Sequence, residues 1–202
     1  MRLVNTIAKL QSTEQMTIVV LGDSLTSGWM VARGYTEFLR DMLMARYPKV
    51  GIKIINSGIP GDTAPGGLCR LQQDVISYVP DLVLVQFALN DAFCGSSLEE
   101  FRRSIEAIVE RIRQESSAEV LLLTSTLPAD TSEFDVVAPF YAELKQIARD
   151  KACALAPVDE HWRNAIAGGR PHDELVLHDR VHPSETGYQL MAEAVMACLT
   201  GC

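Results

Sequence analysis

Short apolar runs alternate with amphipathic helical patterns along this chain, and the alternation limits its possible folds more than any other feature. The runs are continuous and rich in β-branched residues, as expected of strands buried on both faces. They lie at residues 17–21, 52–55, 82–85, 120–123 and 154–158. Helical patterns lie at 35–46, 68–78, 97–114, 134–152 and 184–199, and Ser97 with Glu100 predicts a capping box for the third. This order predicts βαβ units and a parallel sheet covered on both faces.

Polar residues follow the predicted strands at the points where the strands end. Ser24 follows the first strand, residues 56–61 the second, Asn90 the third and residues 124–130 the fourth. Ligands of open parallel sheets bind outside the carboxyl ends of the strands, so we expect these loops to open on one edge.

Length and charge restrict the class of protein. The 202 residues fit a single domain, residues 1–202, and 22% charged residues are ordinary for a globular protein. The net charge of −8 argues against a nucleic-acid partner and against docking to anionic lipid, because both need clustered Lys and Arg. Small-molecule chemistry is the better expectation.

The termini and cysteines bear on the compartment. The first 16 residues carry Arg2, Lys9 and Glu14 and lack a continuous apolar run, which is unlike a secretory signal. No later stretch is long and apolar enough to span a bilayer, so we expect a cytoplasmic protein. Five cysteines without a Cys-x-x-Cys pair predict buried, reduced thiols rather than a disulfide framework or a structural zinc site, and they are Cys69, Cys94, Cys153, Cys198 and Cys202.

Three residues could form a nucleophilic site. A serine hydroxyl such as that of Ser24 needs a base within hydrogen-bond reach, itself oriented by a third group. Asp179 and His182 are three residues apart on a segment that Pro183 biases away from helix. They can therefore face the same way, with the carboxylate on one ring nitrogen and the other nitrogen toward Ser24. Each short motif alone is weak evidence.

Taken together, the motifs resemble those of the GDSL, or SGNH, hydrolase family. The segment 22–28 (Gly-Asp-Ser-Leu-Thr-Ser-Gly) is similar to its first block, 56–62 to its second, 88–91 to its third and 179–182 to its fifth, in the family's order. The form of the first block resembles the compact bacterial esterase, thioesterase and lysophospholipase branch. The resemblance implies a three-layer α/β/α fold with a five-stranded parallel sheet, similar to flavodoxin.

The resemblance also implies a role for each matching residue. Ser24 would be the nucleophile, His182 the general base and acid, and Asp179 the residue that orients His182. The backbone N–H groups of Ser24 and Gly61 and the side-chain amide of Asn90 would form the oxyanion hole, and no cofactor is needed. The third block usually begins with Gly, whereas here it begins with Ala88, which we expect to shift the backbone or narrow the acyl pocket.

The substrate is less constrained than the reaction. Without a long insertion to act as a lid, we expect an open cleft for small or single-chain esters. Trp29, Met30 and Phe93 could line an acyl pocket or could simply anchor core and loops. A carbohydrate O-acetyl esterase, an acyl-thioesterase and an acyltransferase remain alternatives, as does a non-catalytic ligand-binding module, since fold does not imply function.

A metal or nucleotide site is disfavoured. His172, His178 and His182 with Asp173 and Asp179 could suggest metal ligands, but Pro183 opposes a regular helical pair of histidines. Neither a phosphate-binding P-loop motif nor a dinucleotide fingerprint is present. Asp23 and Asp91 are expected to accept hydrogen bonds from loop backbone rather than to do acid–base work.

Overall fold

The computed structural model describes residues 3–129 and 131–200. Arg2, Asp130 and Cys202 lie outside the described residues. Five strands form one parallel sheet in the order β2-β1-β3-β4-β5. They are β1 (Gln15–Gly22), β2 (Gly51–Gly58), β3 (Leu82–Gln86), β4 (Glu119–Leu123) and β5 (Ala154–Ala156).

Ten α-helices connect or flank these strands in the described part of the chain. They are α1 (Val4–Leu10), α2 (Ser24–Ser27), α3 (Tyr35–Arg46), α4 (Ala64–Asp74), α5 (Leu89–Phe93), α6 (Leu98–Glu115), α7 (Thr131–Asp150), α8 (Val158–Ala167), α9 (His172–Leu175) and α10 (Glu185–Thr200). Helices α3, α8 and α10 pack together as one group, and α4, α6 and α7 form another.

Burial along the central strands shows that the sheet lies between helices. All five residues of β3 are buried, so neither face of that strand meets solvent. On one side of β1, Leu21 pairs with Ser57 of β2, and on the other side it pairs with Val85 of β3. The prediction of a five-stranded parallel sheet in a three-layer α/β/α arrangement is confirmed, and the strand order is that of flavodoxin-like folds.

Several predicted boundaries were wrong for local reasons. The fifth strand ends at Ala156 rather than at Val158, which already begins α8. Helix α4 begins at Ala64, not Leu68, because a proline in the first turn lacks only an N–H that would be unpaired there. It ends at Asp74, and a separate 3₁₀ turn follows. Ser97 does cap α6, accepting from the Glu100 N–H at 3.1 Å.

The thiols are free but not uniformly buried. Cys153 is buried and Cys198 half-buried, whereas Cys69 and Cys94 are exposed, so the expectation of buried thiols was wrong for those two. No helix in the described ranges 3–129 and 131–200 is long and apolar enough to cross a membrane.

Candidate active site

The first polar loop is a sharp turn at the end of β1. Asp23 caps α2 by accepting a hydrogen bond from the Leu25 N–H at 2.9 Å, and Ser24 is the first residue of this short helix. Gly22 is required before the turn, since a Cβ there would lie 2.2 Å from Thr26 Oγ1 and 2.6 Å from the backbone oxygen of Gln86. The turn therefore fixes Ser24 at the carboxyl edge of the sheet, where it is 6% exposed.

The second chemical element is the loop before α10. Its ends are joined by an antiparallel bridge between Val176 and Pro183, and the Leu177 N–H donates to the His182 carbonyl at 2.7 Å. Arg180 lies at the tip with φ 64°, the left-handed conformation that closes a tight turn. This small hairpin holds Asp179 and His182 on the same side.

Ser24, His182 and Asp179 form a continuous hydrogen-bonded chain. Ser24 Oγ lies 3.0 Å from His182 Nε2, and His182 Nδ1 lies 2.7 Å from Asp179 Oδ2. An Nδ1–H that donates to the carboxylate leaves Nε2 with a lone pair for the serine proton. The geometry is that of a nucleophile, its base and the group that orients the base.

Hydrogen bonds also hold Asp179 in its ionised form. Partial burial alone would raise the pKa of this carboxyl, but the bonds from Val181 N–H, His182 N–H and the imidazole outweigh burial and lower the pKa. The backbone bonds are 3.0 and 2.9 Å long and both reach Oδ1, which leaves Oδ2 for the imidazole. The carboxylate of Asp179 is therefore ionised, and its Oδ2 is directed toward the imidazole.

Gly61 and Asn90 lie on the two neighbouring strand-end loops. Gly61 has φ 80°, and a Cβ there would meet nothing within 4 Å, so its backbone borders open space. The Asn90 side-chain amide donates to the Asp62 carbonyl at 2.9 Å, which ties the loop after β3 to the loop after β2. Within the described residues, the backbone N–H groups of Ser24 and Gly61 have no hydrogen-bond partner.

Arg70 is an anchoring residue that sequence reasoning missed. Its guanidinium, on α4, donates from Nε to Asp62 Oδ2 at 2.8 Å and from its two terminal nitrogens to the Ser57 and Gly22 carbonyls at 2.7 and 3.0 Å. It also pairs with Asp74 at 3.1 Å. One side chain therefore ties the end of β1, which precedes Ser24, to the loop that carries Gly61. In the sequence, Arg70 is simply one charged residue of an amphipathic helical pattern, and nothing marks it as an anchor.

A buried polar network underlies the turn that carries Ser24. Gln86 Nε2 donates to Asp23 Oδ2 at 3.2 Å and to Ser125 Oγ at 3.0 Å, while Gln86 Oε1 accepts from Thr26 Oγ1 at 2.8 Å. Burial raises the pKa of Asp23 to about 7, although the bonds from Leu25 N–H and Gln86 oppose the shift. As expected, Asp23 caps the loop backbone.

Asp91 has a comparable structural role after the neighbouring strand β3. It accepts from the Ala64 N–H at 2.9 Å and so fixes the start of α4 against α5. Burial raises the pKa of Asp91 to about 6, and its second oxygen is buried without a partner among the described residues.

Ala88, where the related family usually has glycine, adopts a glycine-like conformation. Its φ is 132° and its ψ is −39°, and the residue is fully buried at the turn that leads to Asn90. Residues with a Cβ rarely adopt this backbone conformation, and such positions cost on the order of 1–3 kcal/mol. The methyl group therefore stores strain at the turn.

A cleft of about 300 Å³ opens beside Ser24. Its apolar walls are Leu25, Leu89, Phe93 and Val181, and its polar lining is Ser24, Asn90, Glu133, Asp179 and His182. Phe93 is thus at the cleft, as the sequence suggested, whereas Trp29 and Met30 are 45% and 73% exposed and do not line it. Glu133 was not anticipated, because it comes from α7, far away in sequence.

His172 and His178 do not form a metal site with His182. His172 Nε2 lies 2.8 Å from the Leu127 carbonyl, and its ring lies 6.4 Å from that of Trp162. His178 lies on a separate surface depression with Asp173 and Arg180. Over residues 3–129 and 131–200, no group of three or more His, Cys, Asp or Glu side chains could hold a metal ion.

The protein thus has a parallel α/β/α fold with a hydrogen-bonded Ser–His–Asp chain at the carboxyl edge of its sheet. This combination is typical of serine hydrolases. A sequence profile described as the GDSL-like lipase/acylhydrolase family matches residues 20–190. The chain therefore belongs to this family of ester hydrolases, as the sequence motifs predicted.

Individual relatives agree with this assignment. An acetylxylan esterase from Geobacillus stearothermophilus is 24% identical, over 93% of this chain and 94% of the relative. An arylesterase from Vibrio mimicus is 29% identical, over 93% and 89% of the two chains. The esterase TesA from Pseudomonas aeruginosa is 25% identical, over 94% and 90%.

Solved structures show the same fold. The crystal structure of Axe2, an acetylxylan esterase from Geobacillus stearothermophilus, superposes with a TM-score of 0.81 at 22% identity, covering 95% of this chain and 96% of that one. Catalytic mutants of Axe2 replace a serine, a histidine or an aspartate by alanine, and its mutated aspartate and histidine lie three residues apart.

Proposed function

We propose that this protein cleaves carboxylic esters through an acyl-enzyme formed on Ser24. The observation that carries the proposal is the hydrogen-bonded chain from Ser24 Oγ through His182 to Asp179, with separations of 3.0 and 2.7 Å. The catalytic mutants of Axe2 support it, because they concern the same three residue types with the same spacing of aspartate and histidine.

The reaction runs in two halves. Ser24 Oγ attacks the ester carbonyl carbon while His182 Nε2 takes the serine proton, and the carbonyl oxygen becomes an oxyanion. Collapse of this intermediate breaks the bond to the alcohol oxygen, which receives the proton from His182. Water then attacks the acyl-Ser24 ester, again with His182 as base, and releases the carboxylic acid and the free serine.

Three donors hold the oxyanion in this mechanism. The N–H groups of Ser24 and Gly61 are unpaired among the described residues, and Asn90 uses one amide hydrogen on the Asp62 carbonyl. A side-chain amide has two N–H donors, so the second is available to substrate. Donors fixed in advance are effective because they need no reorganisation when the charge develops.

The cleft favours short acyl groups. Its volume of about 300 Å³ is at the lower end of the range for ligand pockets, and four side chains supply its apolar walls. We therefore infer a preference for acetyl and other short acyl esters. The acetylxylan esterase and arylesterase relatives also fit that substrate class. A panel of p-nitrophenyl esters of increasing chain length, with acetylated sugars and acyl-CoA alongside, measures the preference.

The mechanism is tested by substitution of the nucleophile. Ser24→Ala removes the attacking oxygen and is expected to lower kcat for p-nitrophenyl acetate by a factor of about 10⁴ or more. Ser96→Ala removes a serine hydroxyl that does not line the cleft and is expected to retain wild-type turnover. Comparable activity of the two folded variants would contradict the assignment of Ser24.

We also propose a cytoplasmic location and the absence of a nucleic-acid partner. Two exposed free thiols, Cys69 and Cys94, suit a reducing compartment, where exposed thiols persist. The net charge of −8 supports a small-molecule substrate rather than a polyanion.

A further inference from the structure

Acidic residues outnumber lysine and arginine in the lining of the cleft. The acidic residues Glu133 and Asp179 both line the cleft, whereas among residues 3–129 and 131–200 no Lys or Arg does so. Apart from these acids and His182, the lining is apolar or uncharged. A substrate that enters the cleft therefore meets an excess of negative charge, and charge interactions in a partly solvated site are stronger than in bulk water.

Only one of the two carboxylates is free to act on the substrate. Asp179 accepts from Val181 N–H, His182 N–H and the imidazole, so its oxygens are already engaged. Glu133 is half-buried and makes no ion pair or hydrogen bond with any described residue. The cation nearest to Asp179 in sequence, Arg180, pairs with Asp173 instead.

Glu133 is carried by a long helix. It lies in the first turn of α7, a helix of 20 residues, where the helix dipole stabilises a negative side chain. The apolar side chains that line the same cleft offer no hydrogen-bond partner. An unpaired carboxylate at a substrate cleft is a recognition group for cations and hydroxyl donors.

Resting on the proposed function, we propose that Glu133 determines the charge specificity of this esterase. It favours esters whose alcohol or acyl part carries a positive charge or hydroxyl donors, and it disfavours anionic esters such as acyl-CoA. Of the substrate classes left open by the sequence, this selects neutral hydroxyl-rich or cationic esters over anionic thioesters. Glu133 is a specificity residue and is not involved in the proton transfers.

The test uses esters matched in shape. Acetylcholine and 3,3-dimethylbutyl acetate differ by replacement of the quaternary nitrogen with carbon, and 3-sulfopropyl acetate adds an anionic member. For each protein we measure kcat/KM for acetylcholine and for the neutral ester and take their ratio. Taking the ratio cancels any change in activity that affects both substrates equally. Acetate release is followed by pH-stat titration at low salt.

Glu133→Gln is expected to lower the cation-to-neutral ratio about fivefold relative to wild type, because it removes one charge interaction across a partly solvated cleft. It should raise the relative kcat/KM of the sulfonate ester by a similar factor. In the wild type, the cationic preference should weaken at a salt concentration of about 0.5 M, because salt screens the interaction.

Asp135→Asn is the matched control. Asp135 lies on the same helix, is exposed and does not line the cleft, and the substitution removes the same charge. Its ratio should stay within about twofold of wild type. Equal effects of the two variants would mean that the overall charge of −8 sets the preference, and an unchanged ratio in Glu133→Gln would likewise overturn the proposal.

Failure of this inference is distinct from failure of the proposed function. If the wild type hydrolyses the neutral ester and Ser24→Ala does not, the esterase mechanism stands whatever the charge ratios show. If the wild type hydrolyses neither these three esters nor p-nitrophenyl acetate, the proposed function itself is wrong.

Discussion

Arg70 and Asp62 form an ion pair, with 2.8 Å between Nε and Oδ2, directly behind the loop that carries Gly61. The Asp62 carbonyl accepts a hydrogen bond from the Asn90 amide, and Arg70 also donates to the Gly22 carbonyl at the start of the turn that carries Ser24. Through these contacts one guanidinium connects all three loops that supply the proposed oxyanion donors. We therefore expect Arg70 to position the oxyanion hole without touching the substrate.

Arg70→Met should lower kcat about tenfold to a hundredfold with little change in KM, because misplaced donors stabilise the oxyanion of the transition state less well. Affinity for a trifluoromethyl ketone analogue of the tetrahedral intermediate should fall in parallel. Arg70→Lys keeps the charge but not the fork of donors, and should recover only a fraction of the loss.

Asp74→Asn is the control for Arg70, since it neutralises the acidic partner of the guanidinium that lies on α4 rather than on the loop of Gly61. It should retain nearly full turnover, and thermal unfolding shows whether each variant is folded. A folded Arg70→Met enzyme with normal kcat and raised KM would contradict a positioning role.

Asp179→Asn should lower kcat by a factor of about 10²–10⁴ without unfolding the protein. Asparagine can still accept the Val181 and His182 N–H bonds, but its amide N–H toward Nδ1 favours the wrong imidazole tautomer. Nε2 then carries the proton and cannot receive that of Ser24. Steady-state kinetics measure the loss.

Asp173→Asn provides the comparison for Asp179, because Asp173 lies nearby but pairs with the exposed Arg180. It should stay within about threefold of wild type, as expected for an exposed ion pair. A similar loss in both variants would point to general loop damage rather than to orientation of His182.

Ala88→Gly should stabilise the protein by about 1 kcal/mol, because glycine adopts φ 132° without the strain of a Cβ. Urea unfolding measures the change. The opposite sign is expected for Ala92→Gly, which places glycine in the regular helix α5 and should cost about 1 kcal/mol. Destabilisation by both substitutions would show that Ala88 is not strained.

Asp23 should make the protein less stable as pH rises. Its pKa is about 7 in the folded state against an ordinary value of 3.8, so between these values the folded chain holds a proton that the unfolded chain has lost. The free energy of unfolding then falls with rising pH by up to about 1.4 kcal/mol per unit from this group.

Asp23→Asn removes that contribution while keeping an oxygen for the Leu25 N–H. Urea unfolding of both proteins at about pH 5, 6 and 7 should therefore give a flatter pH dependence for the variant. Parallel curves would show that Asp23 does not carry the raised pKa.

The sheet and its strand-end residues were predictable because both follow local patterns. Continuous apolar runs mark buried strands, and parallel strands bring their carboxyl ends to one edge, so Ser24, Asn90 and the loop of Gly61 were expected at the same edge. Helix ends were less predictable, as at α4, because a first-turn proline leaves no periodic signal.

The residues that were missed depend on tertiary contact. Arg70 reaches two strand ends from a helix, and Glu133 enters the cleft from α7; neither position has a local signature in the chain. Conversely, Trp29 and Met30 are close to Ser24 in sequence, but the left-handed Gly28 ends α2 before them, and they do not line the cleft. Ala88 was noticed as a departure, yet its strain shows only in the backbone angle.

The most direct test of the central claim is reaction with a fluorophosphonate probe, followed by mapping of the labelled peptide. Folded wild-type protein should be labelled once, on Ser24, because His182 at 3.0 Å activates that hydroxyl. Ser24→Ala and heat-denatured wild type should not react. Labelling at another residue, or no labelling of the folded wild type, would contradict the assignment of Ser24 as the nucleophile.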